Sequence, residues 1–435
     1  MKNRLGLTTL LIFTSTLLMS CNSKKDDSSN HFSMSIEGYT LNQTVILSRH
    51  NIRSPLSGNG SLLDKITPYK WHEWSSGPSE LSIKGGLLET EMGQYFRKWF
   101  EKEKLFTNDY QPSEEEIRIY ANAKQRTIAT SNYFSAGLMP SYNLNIEVNA
   151  PFNSMDPVFN PQLTFISDSY IKAAKEEIDT LFLEKIKGLK DNYTLLSDVI
   201  DFRNSEAYKN KEISNFKVDD TVISLELNKE PSMTGSLKNG CSAADALVLQ
   251  YYEELDSYKA GFNHNLSFND WKNISEIKDL YGDVLFTAPK ISSNVAHPLL
   301  LEIQKELNND NRKFSFLCGH DSNLCSVLSS LEVEDYILIN AIESKTPIGS
   351  KIVINSFNDT NGKEFYSVNM VYQSVDQLRN VSTLDLEHSP MIVPLKFKGV
   401  DVDENGLCSK SSFLEKLNQS IMKYDELKQT YGCGI

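Results

Sequence analysis

Thr44-Val45-Ile46-Leu47-Ser48-Arg49-His50-Asn51-Ile52-Arg53-Ser54-Pro55 is a β-rich apolar run that ends in two arginines and a histidine. Its first five residues fit a short buried strand, and the charged segment that follows belongs where the chain leaves the sheet. Two later stretches repeat the pattern. Ile117-Arg118-Ile119-Tyr120-Ala121 precedes helical spacing over 124–138, which carries Arg126. Phe314-Ser315-Phe316-Leu317-Cys318 precedes Gly319-His320-Asp321 and a helical pattern over 323–331. Further strands are expected at 351–355 and 367–372. Apolar strands alternating with helices argue an α/β core with helices on both sheet faces.

Between these stretches the character changes. Helical apolar spacing covers 171–189, 243–255 and 271–285, and resumes at 296–307. The expectation is a core built from 34–160 and 296–435, capped by a mainly helical insertion over 161–295.

The three strand-to-helix junctions carry groups suited to one task. In open α/β sheets ligands sit at the carboxyl ends of strands, so Arg49, His50 and Arg53, then Arg126, then His320 and Asp321, can meet in one crevice. Helix N-termini there favour an anion. Arginine pairs with phosphate through two parallel hydrogen bonds and keeps its charge at any working pH. A neutral imidazole can attack phosphorus, which casts His50 as a covalent carrier. An alkoxide is a poor leaving group, so a carboxylic acid must protonate it. Asp321 is the candidate, and once ionised it can activate water for the second step. Each piece alone is weak: an Arg-His pair is commonly a surface feature, and His320 could be a core histidine. His-Asp after a strand also occurs in metal-dependent phosphohydrolases. Those need more ligands, and none of the other six of the seven histidines has a ligand spacing. No metal or cofactor is expected.

The N-terminus reads as an export signal. Lys2 and Arg4 precede an apolar run from Leu5 to Met19, and Leu18-Met19-Ser20-Cys21 has the form of a lipobox. Residues 1–20 are therefore expected to be a signal peptide, with Cys21 lipidated and 21–33 a flexible tether. That implies an exported lipoprotein of a Gram-negative envelope, held to the outer membrane at its periplasmic face or the cell surface. Loss of Lys2 and Arg4 would take the net charge from -13 to -15, and so acidic a chain repels nucleic acid. Of six cysteines, Cys318 and Cys325 have apolar surroundings and read as buried thiols, while Cys408 and Cys433 are the one candidate pair. The oligomeric state is left open, a homodimer included.

These motifs resemble those of the histidine acid phosphatases, the branch of the phosphoglycerate mutase-like superfamily that contains bacterial phytases and glucose-1-phosphatases. The family pattern is Arg-His-Gly-x-Arg-x-Pro early and His-Asp late. Asn51 stands at the glycine, a departure attributed to asparagine's tolerance of strained turns and shared with the glucose-1-phosphatase group. Similarity to that group extends through Asn59-Gly60-Ser61, Lys70-Trp71-His72-Glu73-Trp74, Lys84-Gly85-Gly86, Asp156-Pro157-Val158-Phe159-Asn160-Pro161 and Leu249-Gln250-Tyr251-Tyr252-Glu253. It continues in Thr346-Pro347-Ile348-Gly349 and the segment 372–380. The resemblance implies a phosphoglycerate mutase-like core with a helical cap. In it His50 is the nucleophile and Asp321 the proton donor, and Arg49, Arg53, Arg126 and His320 hold phosphate. Leu56 and Glu230 would shape access for substrate, the carboxylate disfavouring ligands crowded with phosphates. The disulfide pattern departs from the family's, since Val400 occupies the place where Cys408 would find its usual partner. The expected activity is acid hydrolysis of phosphate monoesters such as glucose 1-phosphate. A phytase is the alternative, and a non-catalytic phosphosugar-binding lipoprotein a further one.

Overall fold

The computed structural model describes residues 32–56, 61–107 and 109–432. The signal segment 1–20, Cys21, the tether up to residue 31, Asn59-Gly60 and Cys433 lie outside the described residues.

Ten strands are present among the described residues: β1 (Thr40–Arg49), β2 (Ile117–Ala121), β3 (Ile146–Glu147), β4 (Val222–Ser224), β5 (Ser232–Thr234), β6 (Phe314–Gly319), β7 (Lys351–Asn358), β8 (Glu364–Tyr372), β9 (Met391–Pro394) and β10 (Leu407–Ser409). The main sheet has the order β10-β8-β7-β1-β6-β2-β3, with β9 also paired to β8, while β4 and β5 form a separate hairpin. β1, β6, β2 and β3 run parallel, and β7 joins β1 antiparallel. Register does the important work. Arg49 lies opposite Gly319, and Cys318 opposite Ala121, so the three parallel strands end at one level.

Side chains alternate across a strand, and β1 shows what each face buries. Val45 and Leu47 point to one side, into a cluster with Leu300, Ile303, Leu324, Leu328, Phe413 and Leu417. Ile46 points to the other, into a cluster with Met92, Phe96, Trp99, Phe100 and Phe134. Helices therefore cover both faces: His297–Leu307, Asp321–Ser330 and Lys410–Tyr431 on the first, Ile83–Lys102 and Gln125–Leu138 on the second. Each fully buried Leu or Phe contributes roughly 2–3 kcal/mol, so these layers fix the strand ends firmly. The Ile83–Lys102 helix comes close enough to the first motif that a Cβ on Gly85 would stand 2.3 Å from the Ile52 carbonyl oxygen. That close approach accounts for Gly85, while a Cβ on Gly86 would stand 2.7 Å from the Tyr133 ring.

Residues 161–295 are mostly helical, with Asp168–Gly188, Lys190–Val199, Ser236–Glu253, Phe268–Phe286 and Pro289–Val295 as the larger helices. Their apolar cluster is shared with Ile52, Leu63, Leu88, Ile348, Val375 and Tyr424 from the rest of the chain. Phe32–Ile435 forms one compact unit that includes this shared cluster.

Candidate active site

The strand ends bring the first and third motifs together. His50 donates its backbone N–H to the Gly319 carbonyl at 3.1 Å, continuing the β1–β6 ladder one step past Arg49. The His50 and His320 rings consequently meet edge to face, centroids 5.5 Å apart. Arg126 enters from the second residue of the Gln125–Leu138 helix, its guanidinium 3.4 Å from His320 Nδ1. Asp321 opens its own helix. His50, Arg53, Arg126, His320 and Asp321 line one cavity of about 360 Å³, together with Leu56 and Glu230. Arg49 is buried outside that lining, with a terminal nitrogen 3.7 Å from Asp321 Oδ2. A cavity of that size suits a small ligand.

The tautomer of His50 follows from its partner. His50 Nδ1 is 2.9 Å from the Asn51 carbonyl oxygen, which can only accept. The proton is therefore on Nδ1, and Nε2 keeps its lone pair. Burial first and the charge of Arg126 next lower the His50 pKa well below the usual histidine value, which favours the neutral ring. His320 is lowered likewise, by burial first and Arg126 next.

Asp321 is pulled two ways. Desolvation raises its pKa, while Arg49, Lys278, His320 and Arg53 outweigh that and hold the carboxyl well below its ordinary range. Half of the side chain remains open to the cavity. The Nε atoms of Arg49, Arg53 and Arg126 are buried without a hydrogen-bond partner among the described residues, so each guanidinium has donor capacity to spare. Arg126 is brought down to about 10 by burial and by Arg53, and still carries its charge.

Asn51 departs from the expectation formed on the sequence. It does not have positive φ, so strained-turn tolerance does not explain it. Its side chain is instead buried and bonded, Nδ2 donating to Glu89 Oε1 at 2.8 Å and Oδ1 accepting from Ile52 N–H at 2.8 Å. Cys325 departs as well. Cys318 is fully buried, but Cys325 is only half-buried and lines the cavity beside Cys241. Burial pushes the Cys325 thiol up to about 12. Val400 and Cys408 are both buried in one apolar cluster. Leu56 is 65 % exposed at the rim. Glu230 is exposed yet lines the cavity, where desolvation and then the Asp321 charge raise its carboxyl.

Several residues at the site were not anticipated. Glu343 accepts from Arg49 at 2.7 Å and from Lys278 at 2.5 Å, anchoring both cations. Asp245, on the Ser236–Glu253 helix, accepts from Arg53 at 3.0 Å. Asn122 contacts His320 Nε2 at 2.6 Å. Asp245 did leave a trace, a lone charge within a helical apolar stretch, whereas Lys278 is one of several charges on its helix. Glu343 lies outside any helix or strand, and no periodicity marks it. Among the described residues no cluster of three or more His, Cys, Asp or Glu is arranged to hold a metal ion.

Residues 40–373 match the histidine phosphatase superfamily (branch 2). The chain belongs to this family. It is 37 % identical over 389 residues to a glucose-1-phosphatase of Providencia rettgeri, covering 88 % of this chain and 92 % of that one. It is 36 % identical to a glucose-1-phosphatase of Salmonella typhimurium, over 88 % of this chain and 93 % of the relative. Among solved structures, the apo form of a Hafnia alvei phytase superimposes with a TM-score of 0.80 at 25 % identity, covering 90 % of this chain and 99 % of that one. This histidine phosphatase is thus a phosphoric monoester hydrolase with the expected α/β fold.

Proposed function

We propose that this histidine phosphatase hydrolyses phosphate monoesters of single sugars, glucose 1-phosphate foremost, through a phosphohistidine on His50. The observation that carries the reading is the His50 Nδ1 contact to the Asn51 carbonyl, which leaves Nε2 unprotonated in a cavity shared with Asp321. Arg49, Arg53, Arg126 and His320 bind the phosphoryl oxygens. In the first step an Nε2–P bond forms as the ester P–O bond breaks, and the leaving oxygen takes a proton from Asp321. In the second, the Asp321 carboxylate takes a proton from water as its oxygen bonds to phosphorus and the Nε2–P bond opens.

The depressed Asp321 carboxyl fits this scheme once substrate charge is counted. A phosphate monoester loses its second proton near pH 6. Below that pH the bound monoanion brings a proton with it and offsets the arginines that hold Asp321 ionised. Acidic conditions therefore supply the general acid, while His50 stays neutral.

Substrate choice rests on the two glucose-1-phosphatase relatives and on Glu230. Glu230 faces the cavity, whereas Asp245, Asp279 and Asp283, which also line it, are paired with Arg53, Lys278 and Lys345. A second phosphate placed near Glu230 meets repulsion there, whereas a neutral sugar does not. This weighs against the phytase reading. A non-catalytic binder would need the arginines but not the pairing of a neutral His50 with Asp321. We propose further that Cys21 carries a lipid and tethers an exported enzyme to the outer membrane; mass spectrometry of the mature N-terminus tests this, and an unmodified Cys21 would refute it. The function itself is tested by comparing kcat/KM for glucose 1-phosphate and myo-inositol hexakisphosphate. A preference for the latter would overturn the substrate assignment.

A further inference from the structure

Behind the His50 motif lies a buried charged cluster that the hydrolytic steps do not use. Lys351 Nζ donates to both oxygens of Glu89, at 3.0 and 3.1 Å, and both side chains are fully buried. The same ammonium donates to the Gly349 carbonyl at 2.9 Å and to Ser48 Oγ at 3.2 Å. Glu89 in turn accepts from the Asn51 amide, and that amide's oxygen accepts from Ile52 N–H. Asn51 is therefore held at both ends of its side chain, and its backbone N–H donates to Thr130 Oγ1 at 3.2 Å.

An ion pair sealed in a core repays its desolvation poorly compared with two apolar side chains of similar volume. Stability alone does not account for this one, but its place does. Asn51 supplies the carbonyl that receives the His50 Nδ1 proton, so the orientation of the Asn51 peptide sets the plane of the imidazole and the line along which Nε2 meets phosphorus. We infer that Lys351, Glu89 and Asn51 form one positioning unit for the nucleophile, an inference that rests on reading His50 as the phosphate carrier.

Gly349 belongs to the same unit. Its φ is +70°, and a Cβ there would come within 2.5 Å of Asn51 Nδ2. Glycine is thus needed twice over, for the left-handed backbone and for room. Its N–H donates to the His50 carbonyl at 3.1 Å. The asparagine at the family's glycine position accordingly comes with a matched set. Without Glu89 its amide would be buried and unpaired, and with a larger residue at 349 it would not fit. Misplacing a reacting atom by ~1 Å can cost about a hundredfold in rate.

The test is rapid-quench measurement of phosphoenzyme formation from p-nitrophenyl phosphate, with inorganic phosphate inhibition and thermal melting measured alongside. Asn51→Ala keeps the existing Cβ and removes both amide bonds. Glu89→Leu with Lys351→Met replaces the ion pair by apolar side chains. Each is expected to slow phosphoenzyme formation by about tenfold to a hundredfold, with phosphate inhibition within about twofold of the parent. Glu89→Gln, which keeps an acceptor for the Asn51 amide, should recover most of that rate. Formation at the parent rate in Asn51→Ala would overturn the inference, whatever the melting temperatures, and decides the matter alone if the double variant does not fold. A parent enzyme that forms no phosphohistidine would instead bring down the carrier reading, and this inference with it.

Discussion

Asn122 donates its side-chain amide to Nε2 of His320 across 2.6 Å, and the direction of that bond is not arbitrary. The amide oxygen is already taken by the backbone N–H groups of Ala123 and Asp156, at 2.8 and 2.9 Å. The NH₂ group must therefore face the ring, and His320 must accept. A neutral His320 then carries its proton on Nδ1, so the Arg126 nitrogen 3.4 Å away, itself only a donor, does not bond that atom and both N–H groups are left for an anion.

Asn122→Asp would keep the two backbone contacts while presenting an acceptor to Nε2. The expected result is a proton moved to Nε2, an added negative charge in the phosphate site, and inorganic phosphate inhibition weakened by roughly tenfold. Unchanged inhibition would count against His320 as a phosphate donor.

His50→Ala is expected to lower kcat on the order of 10⁵-fold and to abolish acid-labile labelling from a ³²P-phosphorylated substrate. Persistent labelling would move the nucleophile elsewhere.

Asp321→Asn should depend on the leaving group. Hydrolysis of glucose 1-phosphate is expected to fall by about 10²–10⁴-fold, and that of p-nitrophenyl phosphate much less, because a phenolate leaves without a proton. Equal losses on both substrates would remove Asp321 from the role of acid.

Glu343 makes a prediction about acid tolerance. Burial raises its carboxyl, but Lys278 and Arg49 overcome that and bring it down to about 2. A carboxyl with a depressed folded pKa contributes stability that is complete above the unfolded value near 4.5 and is lost as pH falls towards 2. Glu343→Gln should therefore destabilise the protein most above about pH 4.5, and the deficit relative to the parent should shrink in stronger acid. A deficit independent of pH, in urea melts between pH 3 and 7, would refute the ionic role.

Glu230→Gln is expected to lower KM for myo-inositol hexakisphosphate by roughly fivefold while leaving glucose 1-phosphate nearly unchanged. Equal effects on both would make Glu230 a surface charge without a gating role.

Much of this site could be read from the chain because strand ends are local features. An apolar run followed at once by Arg49-His50, or by His320-Asp321, announces where a side chain leaves a sheet. Helical spacing likewise exposed the helices within 161–295. The supporting residues were hidden for a different reason. Glu343 reaches Arg49 from 294 residues away, and Glu89 meets Lys351 across 262; such pairs exist only after the sheet has formed. Asn51 misled by type. Asparagine is common at left-handed turns, and only the buried Glu89 carboxylate shows that its amide, not its backbone, is what the position requires.

The apolar cluster shared by residues 161–295 and the sheet half bears on engineering. Ile52, two residues after His50, packs in the same cluster as Leu247 and Trp271. Exchanging the helical insertion for that of a relative would replace the wall against which the His50 segment rests. Chimeras cut at 161 and 295 should therefore lose turnover before they gain a new specificity, unless Ile52, Leu63, Leu88 and Ile348 are exchanged with the graft.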